Sequence, residues 1–156
     1  MSICTIIIGE FYECVVMVNS RKKWFRLLDH EADIGLEVCG RGQTELFSHA
    51  GAALISLITD PDTIEARFTR HITINNGEEQ LVVFLNELLY LWDTEKFIPC
   101  TFSVVVEGGR LEADITGETF DPGKHSVYNE VKAVTYHKFT IQQEGDLLKA
   151  TVFLDI

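Results

Sequence analysis

The sequence predicts an α+β fold: mostly antiparallel β-sheets with two packed α-helices. Three observations carry this. Apolar residues recur at helical spacing over only two long stretches. Most of the remaining apolar residues fall in short runs with strand-like alternation. The connections between those runs are short and rich in turn residues, which favours hairpins over parallel crossovers.

The elements follow in chain order. Residues 1–20 are set apart as an N-terminal extension, and 21–156 as one domain. Strands are predicted at Trp24–Leu28 and Ile34–Cys39. The first helix runs near Thr44–Ile58, with Thr44 as its cap, Glu45 at the positive end of its dipole, and Asp60-Pro61 closing it. Leu46, Ala50, Ala53, Leu54 and Leu57 form its apolar face. A strand over Ala66–Ile74 leads to a second helix near Glu78–Asp93, where Asn76 and Glu79 have capping-box spacing. Leu81, Val82, Leu85, Leu88, Leu89 and Trp92 form a broad apolar face there, which predicts burial against a sheet. Further strands are expected at Thr101–Glu107, Arg110–Thr116, Glu130–Tyr136, Lys138–Gln143 and Leu147–Leu154. Glu107-Gly108-Gly109-Arg110 reads as a tight hairpin, because two-residue turns require positive φ, and Gly145-Asp146 reads as another turn.

Composition narrows the function. Lys and Arg total 13 against 24 Asp and Glu, a formal charge of −11. Such a surface repels phosphate backbones, so no direct grip on nucleic acid is expected; cations or a basic protein suit it better. The first twenty residues have no basic leader and carry Glu10 and Glu13, so neither a signal peptide nor a membrane anchor is expected. This points to a cytoplasmic or nuclear protein. Cys4, Cys14, Cys39 and Cys100 lack zinc-site spacing and are expected to be buried free thiols. Walker and Rossmann phosphate loops and a G-x-S-x-G elbow are absent.

The chemistry concentrates in "LLDHEADIGL", Leu27 to Leu36. If the chain stays extended there, Asp29, Glu31 and Asp33 share one face, where they repel unless a cation lies between them or they splay into water. The sequence finishes "TVFLDI", which places Asp155 and the Ile156 carboxylate at the end of an apolar strand. If the two segments meet, Asp33, Asp155 and Ile156 make an anionic all-oxygen site suited to Ca²⁺, Mg²⁺ or Mn²⁺. If they do not, these are solvated acids. In "NEVKAVTYHKF", Glu130 and Lys132 are expected on one strand face. Lys132 either forms a surface pair or orients carboxylates, and His137 is either structural or an acid, base or phosphate contact. Glu87 either faces solvent with Tyr90 and Asp93 or is held inside by a partner such as Lys132.

Together, "LLDHEADIGLEVCG", "FLNELLYLWDTE", "NEVKAVTYHKF" and the terminal "VFLDI" resemble the archease family over roughly Trp24 to Ile156. The resemblance implies an α+β domain that activates the GTP-dependent RNA-splicing ligase in tRNA splicing and RNA repair. Archeases promote guanylylation of the ligase's active-site histidine, restore multiple turnover and relax its nucleotide preference, without joining RNA themselves. The resemblance further implies a divalent metal at Asp33, Asp155 and Ile156, with Asp29 as a supporting or additional ligand. It matches Lys132 and His137 to signature positions. Glu31 stands where the family usually has Thr, so it adds a further carboxylate beside this set. Two alternatives compete: a metal-dependent phosphoester hydrolase, and a chaperone-like interaction module.

Overall fold

A computed structural model describes residues 7–8, 12–13, 16–18, 21–23, 25–29, 33–75, 77 and 79–156. Four short strands come first: β1 (Ile7–Ile8), β2 (Tyr12–Glu13), β3 (Val16–Val18) and β4 (Arg21–Lys23). They pair antiparallel, β1 with β2 and β3 with β4.

The main body has seven strands, two α-helices and one 3₁₀ turn. In order these are β5 (Phe25–Asp29), β6 (Asp33–Gly40), α1 (Gln43–Ile58), the 3₁₀ turn Pro61–Thr63, β7 (Phe68–Asn75), α2 (Gln80–Glu95), β8 (Phe97–Glu107), β9 (Arg110–Thr119), β10 (Ala133–Glu144) and β11 (Leu147–Asp155). One sheet has the order β10-β11-β6-β5 and the other β7-β9-β8, all neighbours antiparallel. The α+β expectation therefore holds.

Helix α1 contacts β6 of the first sheet and β8 of the second. It buries the expected face and also Phe47, Gly51, Ile55 and Ile58, because sheets lie on two of its sides. A Cβ on Gly51 would come within 2.7 Å of the Phe102 ring, so the glycine permits the close approach to β8. Helix α2 contacts β10, β7 and β8, and buries all six residues of its expected face. The buried residues of both helices and both sheets form one continuous core.

The structure moves several boundaries. The N-cap of α1 is Gly42 and not Thr44, and no side chain caps it. The chain after α1 turns as expected: Asp60 caps the 3₁₀ turn by accepting from the Asp62 N–H at 3.0 Å. The N-cap of α2 is Glu79, again without a side-chain cap bond; Asn76 lies outside the described residues. Strand β8 begins at Phe97, before Pro99. It can include the proline because it is an edge strand and its register shifts between Pro99 and Thr101.

The two strands expected at Glu130–Tyr136 and Lys138–Gln143 are one strand, β10, starting at Ala133. Thr135 pairs with Phe153 and Thr140 with Thr151, so five steps along β10 match two along β11 and three extra residues bulge out. Lys138 in the bulge has φ 55, a left-handed conformation that a side chain tolerates at a cost of about 1 kcal/mol. Glu130 and Lys132 consequently lie in the preceding loop and not on a strand face.

Both hairpin expectations hold. Gly108 and Gly109 join β8 to β9 with φ 58 and 77, and Gly145 joins β10 to β11 with φ 59. Cys39 is disulfide-bonded, which corrects the expectation of a free thiol there; spacing along the chain cannot reveal a pairing between distant cysteines. Cys100 keeps its thiol, which donates to the Thr116 carbonyl at 3.5 Å.

Candidate functional site

Strand β11 is apolar because it runs inside its sheet, between β10 and β6. The β6–β11 ladder pairs Leu36 with Val152 and Ile34 with Leu154, then ends by setting Asp155 directly opposite Asp33. Directly opposed residues carry their side chains on one sheet face, with Cβ atoms roughly 5 Å apart. Two like charges so placed repel each other across the strands. Asp33 is half-buried, whereas Asp155 and Ile156 are exposed. The two acidic segments of the sequence therefore meet.

The backbone around Asp155 is held on both sides. Ala133 at the start of β10 pairs with Asp155, and the Lys132 N–H donates to the Asp155 carbonyl at 2.8 Å. Strand β10 is fixed in turn by α2. Asn86 Oδ1 accepts the Val134 N–H at 3.0 Å, and its Nδ2 donates to the Val134 carbonyl at 2.9 Å and the Val82 carbonyl at 3.0 Å. This amide replaces the strand neighbour that an edge position lacks.

The remaining predicted residues distribute unevenly. Asp29 ends β5 and pairs with Ile34, so the chain reverses before Asp33. The condition of a chain extended through the acidic cluster is therefore not met. His30 and Glu31 lie outside the described residues. Glu87 is exposed beside Tyr90 and Asp93, which agrees with a solvated strip on α2. His137 is exposed in the β10 bulge. The Lys132 side chain is exposed and lines a cleft of about 310 Å³ with Trp92, Asp93, Lys96, Val127, Glu130 and Val131. The Lys96 ammonium lies over the Trp92 ring, 4.9 Å from its centroid. Among the described residues, no cluster of three or more His, Cys, Asp or Glu side chains is gathered at metal-holding distance. The acidic pair thus supplies two carboxylates, and the donor nearest in sequence is Ile156.

A second polar cluster was not foreseen. Glu118, near the end of β9, is buried, and its carboxylate collects several donors. These are Lys124 Nζ at 2.7 Å, the Glu65 N–H at 2.6 Å, His125 Nε2 at 3.3 Å and Arg67 Nε at 3.3 Å. Burial opposes its ionisation, but the hydrogen bonds from Lys124 and Glu65, the Lys124 charge and the His125 bond outweigh it. The carboxyl pKa falls to about 2. The same bond raises the Lys124 pKa. Only the phase of β9 hinted at this: Leu111, Ala113, Ile115 and Gly117 alternate, and Glu118 falls outside the series yet is buried. Elsewhere, on the outer face of the second sheet, His71 hydrogen-bonds Asp114 at 2.7 Å, which raises its pKa.

Comparison with known proteins places this fold. Residues 25–156 match the model of the Archease protein family (MTH1598/TM1083). Protein archease of Sulfurisphaera tokodaii is 33% identical over 136 residues, covering 85% of this chain and 98% of the relative. The solution structure of Methanobacterium thermoautotrophicum protein 1598 superposes with a TM-score of 0.73 at 31% identity, covering 86% of this chain and 99% of that one. The crystal structure of a Thermotoga maritima archease, described as a possible chaperone, shares the fold with a TM-score of 0.57 at 23% identity, covering 83% and 94%. The chain belongs to the archease family. Among the described residues, no helix is long and apolar enough to cross a membrane.

Proposed function

We propose that this protein is a metal-binding accessory factor that activates a GTP-dependent RNA-splicing ligase in tRNA splicing and RNA repair, and is not itself an enzyme. One observation carries the reading: Asp33 and Asp155, drawn from opposite ends of the domain, stand opposite each other in the β6–β11 ladder. Opposed carboxylates with oxygen donors alone suit a hard divalent ion such as Ca²⁺, Mg²⁺ or Mn²⁺. In this reading Asp33, Asp155 and the Ile156 carboxylate hold the ion, and Asp29 and Glu31 extend the acidic shell. A bound ion supplies positive charge that neutralises the pair and attracts phosphate oxygens.

The chain's own residues give the site its shape. Asn86 fixes β10, Lys132 and Ala133 fix the Asp155 backbone, and Gly35 lets the neighbouring strands approach. A Cβ on Gly35 would lie 2.9 Å from Leu28 Cβ and 3.1 Å from the Phe153 ring. The exposed tip is then presented to the partner, with Lys132 and His137 available for contacts at its margin. The net charge of −11 favours docking on a basic protein surface over direct contact with RNA. Residues 21–156 form the working domain, residues 1–20 are an extension, and the protein acts in the cytoplasm or nucleus.

The test is multiple-turnover RNA ligation by the cognate ligase at substoichiometric enzyme. It is run without addition, with this protein, and with Asp155→Asn, each checked for folding. The reading expects wild type to restore turnover and ligase guanylylation, and the variant to lose both. Absence of any wild-type effect overturns it. Metal-dependent phosphoester hydrolysis by the purified protein would establish the enzyme reading instead, and client binding indifferent to Asp33 and Asp155 the chaperone-like one.

A further inference from the structure

The connection from β9 to β10, residues 120–132, is long for a segment without secondary structure of its own, yet it is pinned along its length. The Phe120 N–H donates to the Lys96 carbonyl at 2.7 Å. The Tyr128 N–H and Asn129 Nδ2 donate to the Ile58 and Leu57 carbonyls, at 2.7 and 2.8 Å, and so satisfy acceptors at the end of α1. The Lys132 N–H holds Asp155, and Val127, Glu130, Val131 and Lys132 form one wall of the cleft.

The pin at the loop's first bend is His125, whose side chain is fully buried. Its Nδ1 accepts the Asp121 N–H at 2.9 Å, so in the neutral ring the hydrogen is on Nε2, which donates to Glu118. The His125 N–H returns to the Asp121 carbonyl at 2.7 Å, and the Phe120 ring lies against the imidazole with centroids 5.6 Å apart. The charged groups around this centre are Glu118 and Glu65 on one side of the balance, and Lys124 and Arg67 on the other.

A proton added at Nδ1 would set an N–H donor against the Asp121 N–H and break the bond that closes the bend. It would also add a third cation around carboxylates that Lys124 and Arg67 already neutralise.

We infer that Glu118 and His125 form an acid-released latch on the 120–132 loop: closed with a neutral imidazole, and opened when His125 is protonated. Opening removes one wall of the cleft and loosens the Lys132 hold on β11. The consequence for the acidic pair rests on the metal reading above, whereas the latch itself rests only on the loop's own bonds.

The experiment is hydrogen exchange by mass spectrometry on the full chain without added metal, so that its outcome is independent of the metal reading. Protection is compared at about pH 7.5 and about pH 5, with the intrinsic exchange rate corrected. Protection of residues 121–132 is expected to fall at least several-fold at the lower pH while β9 and β11 stay protected. His125→Gln, whose amide can accept from Asp121 and donate to Glu118 without titrating, should remove the pH dependence. Long-range proton–nitrogen spectra of wild-type histidine, which need no variant, should show His125 as the Nε2–H tautomer at the higher pH. Equal protection at the two pH values, an Nδ1–H tautomer, or an unchanged pH response in a folded His125→Gln protein would each overturn the latch.

Discussion

Replacing Asn86 by alanine should release β10 from α2 and cost about 3 kcal/mol of stability. The figure follows from the bonds lost. Asn86 closes two hydrogen bonds to Val134, at 3.0 and 2.9 Å, and a third to Val82 within its own helix. Each of the Val134 bonds contributes about 1 kcal/mol net, and a buried polar group left without a partner adds about 1 kcal/mol or more. Val134 is 3% exposed and lies on an edge strand, so water reaches its abandoned N–H and C=O poorly. Urea unfolding monitored by tryptophan fluorescence measures the loss, provided the slope with denaturant is unchanged. Asn86→Asp sharpens the test. Its carboxylate can still accept the Val134 N–H, but the other oxygen then faces the Val134 carbonyl, and the variant should be no better than alanine. A loss below about 1 kcal/mol for alanine would mean that solvent replaces the amide at no cost, and the reasoning about a stand-in strand would fail.

Three further outcomes are expected. Glu118 has its pKa lowered from 4.5 to about 2, so its contribution is present above pH 4.5 and is lost as pH falls toward 2; Glu118→Gln should flatten that limb of an acid-unfolding curve. Gly117→Ala should cost about 3 kcal/mol or more in thermal or urea unfolding, because a Cβ there would lie 1.9 Å from the Ile98 carbonyl oxygen and 2.6 Å from Pro99 Cα, where only backbone can yield. Asp155→Asn in metal-free protein should raise stability by about 0.2–1 kcal/mol, because opposed like charges in a ladder repel. The same substitution should weaken Ca²⁺ or Mn²⁺ binding at least about 10-fold by calorimetry, and equal affinity would remove Asp155 from the metal site.

The elements that depend on local chemistry were legible in the sequence. Gly108-Gly109 marked its hairpin because only glycine takes two successive positive φ values without strain. The spacing of Leu81, Leu85, Leu88 and Trp92 marked α2 and its buried face. The meeting of Asp33 and Asp155 was conditional in the sequence, because register between distant strands is set by the core they share. The pairing of Leu36 with Val152 and Ile34 with Leu154 brings it about. What stayed hidden was non-local. The β10 bulge has no residue signature, since Lys138 adopts its positive φ without being glycine. The Asn86 clamp looks on the sequence like a polar interruption in an apolar helix. The Glu118 cluster joins Glu65, Arg67, Lys124 and His125, whose proximity only the packed loop creates.

The position of β11 has a consequence for biosynthesis. It lies second in its sheet, yet it follows every other described element in sequence, and its partner β6 emerges more than one hundred residues earlier. While the polypeptide is being made, β7, β8, β9 and both helices are available to associate, but the inner edge of β6 stays uncovered until β11 leaves the ribosome. That edge belongs to a strand buried along most of its length, a surface prone to pairing with the wrong chain. Contacts of such sequence separation also close slowly. Nascent chains stalled before residue 147 should therefore depend on holding factors, and completing β11 both closes the sheet and brings Asp155 to Asp33 in one event.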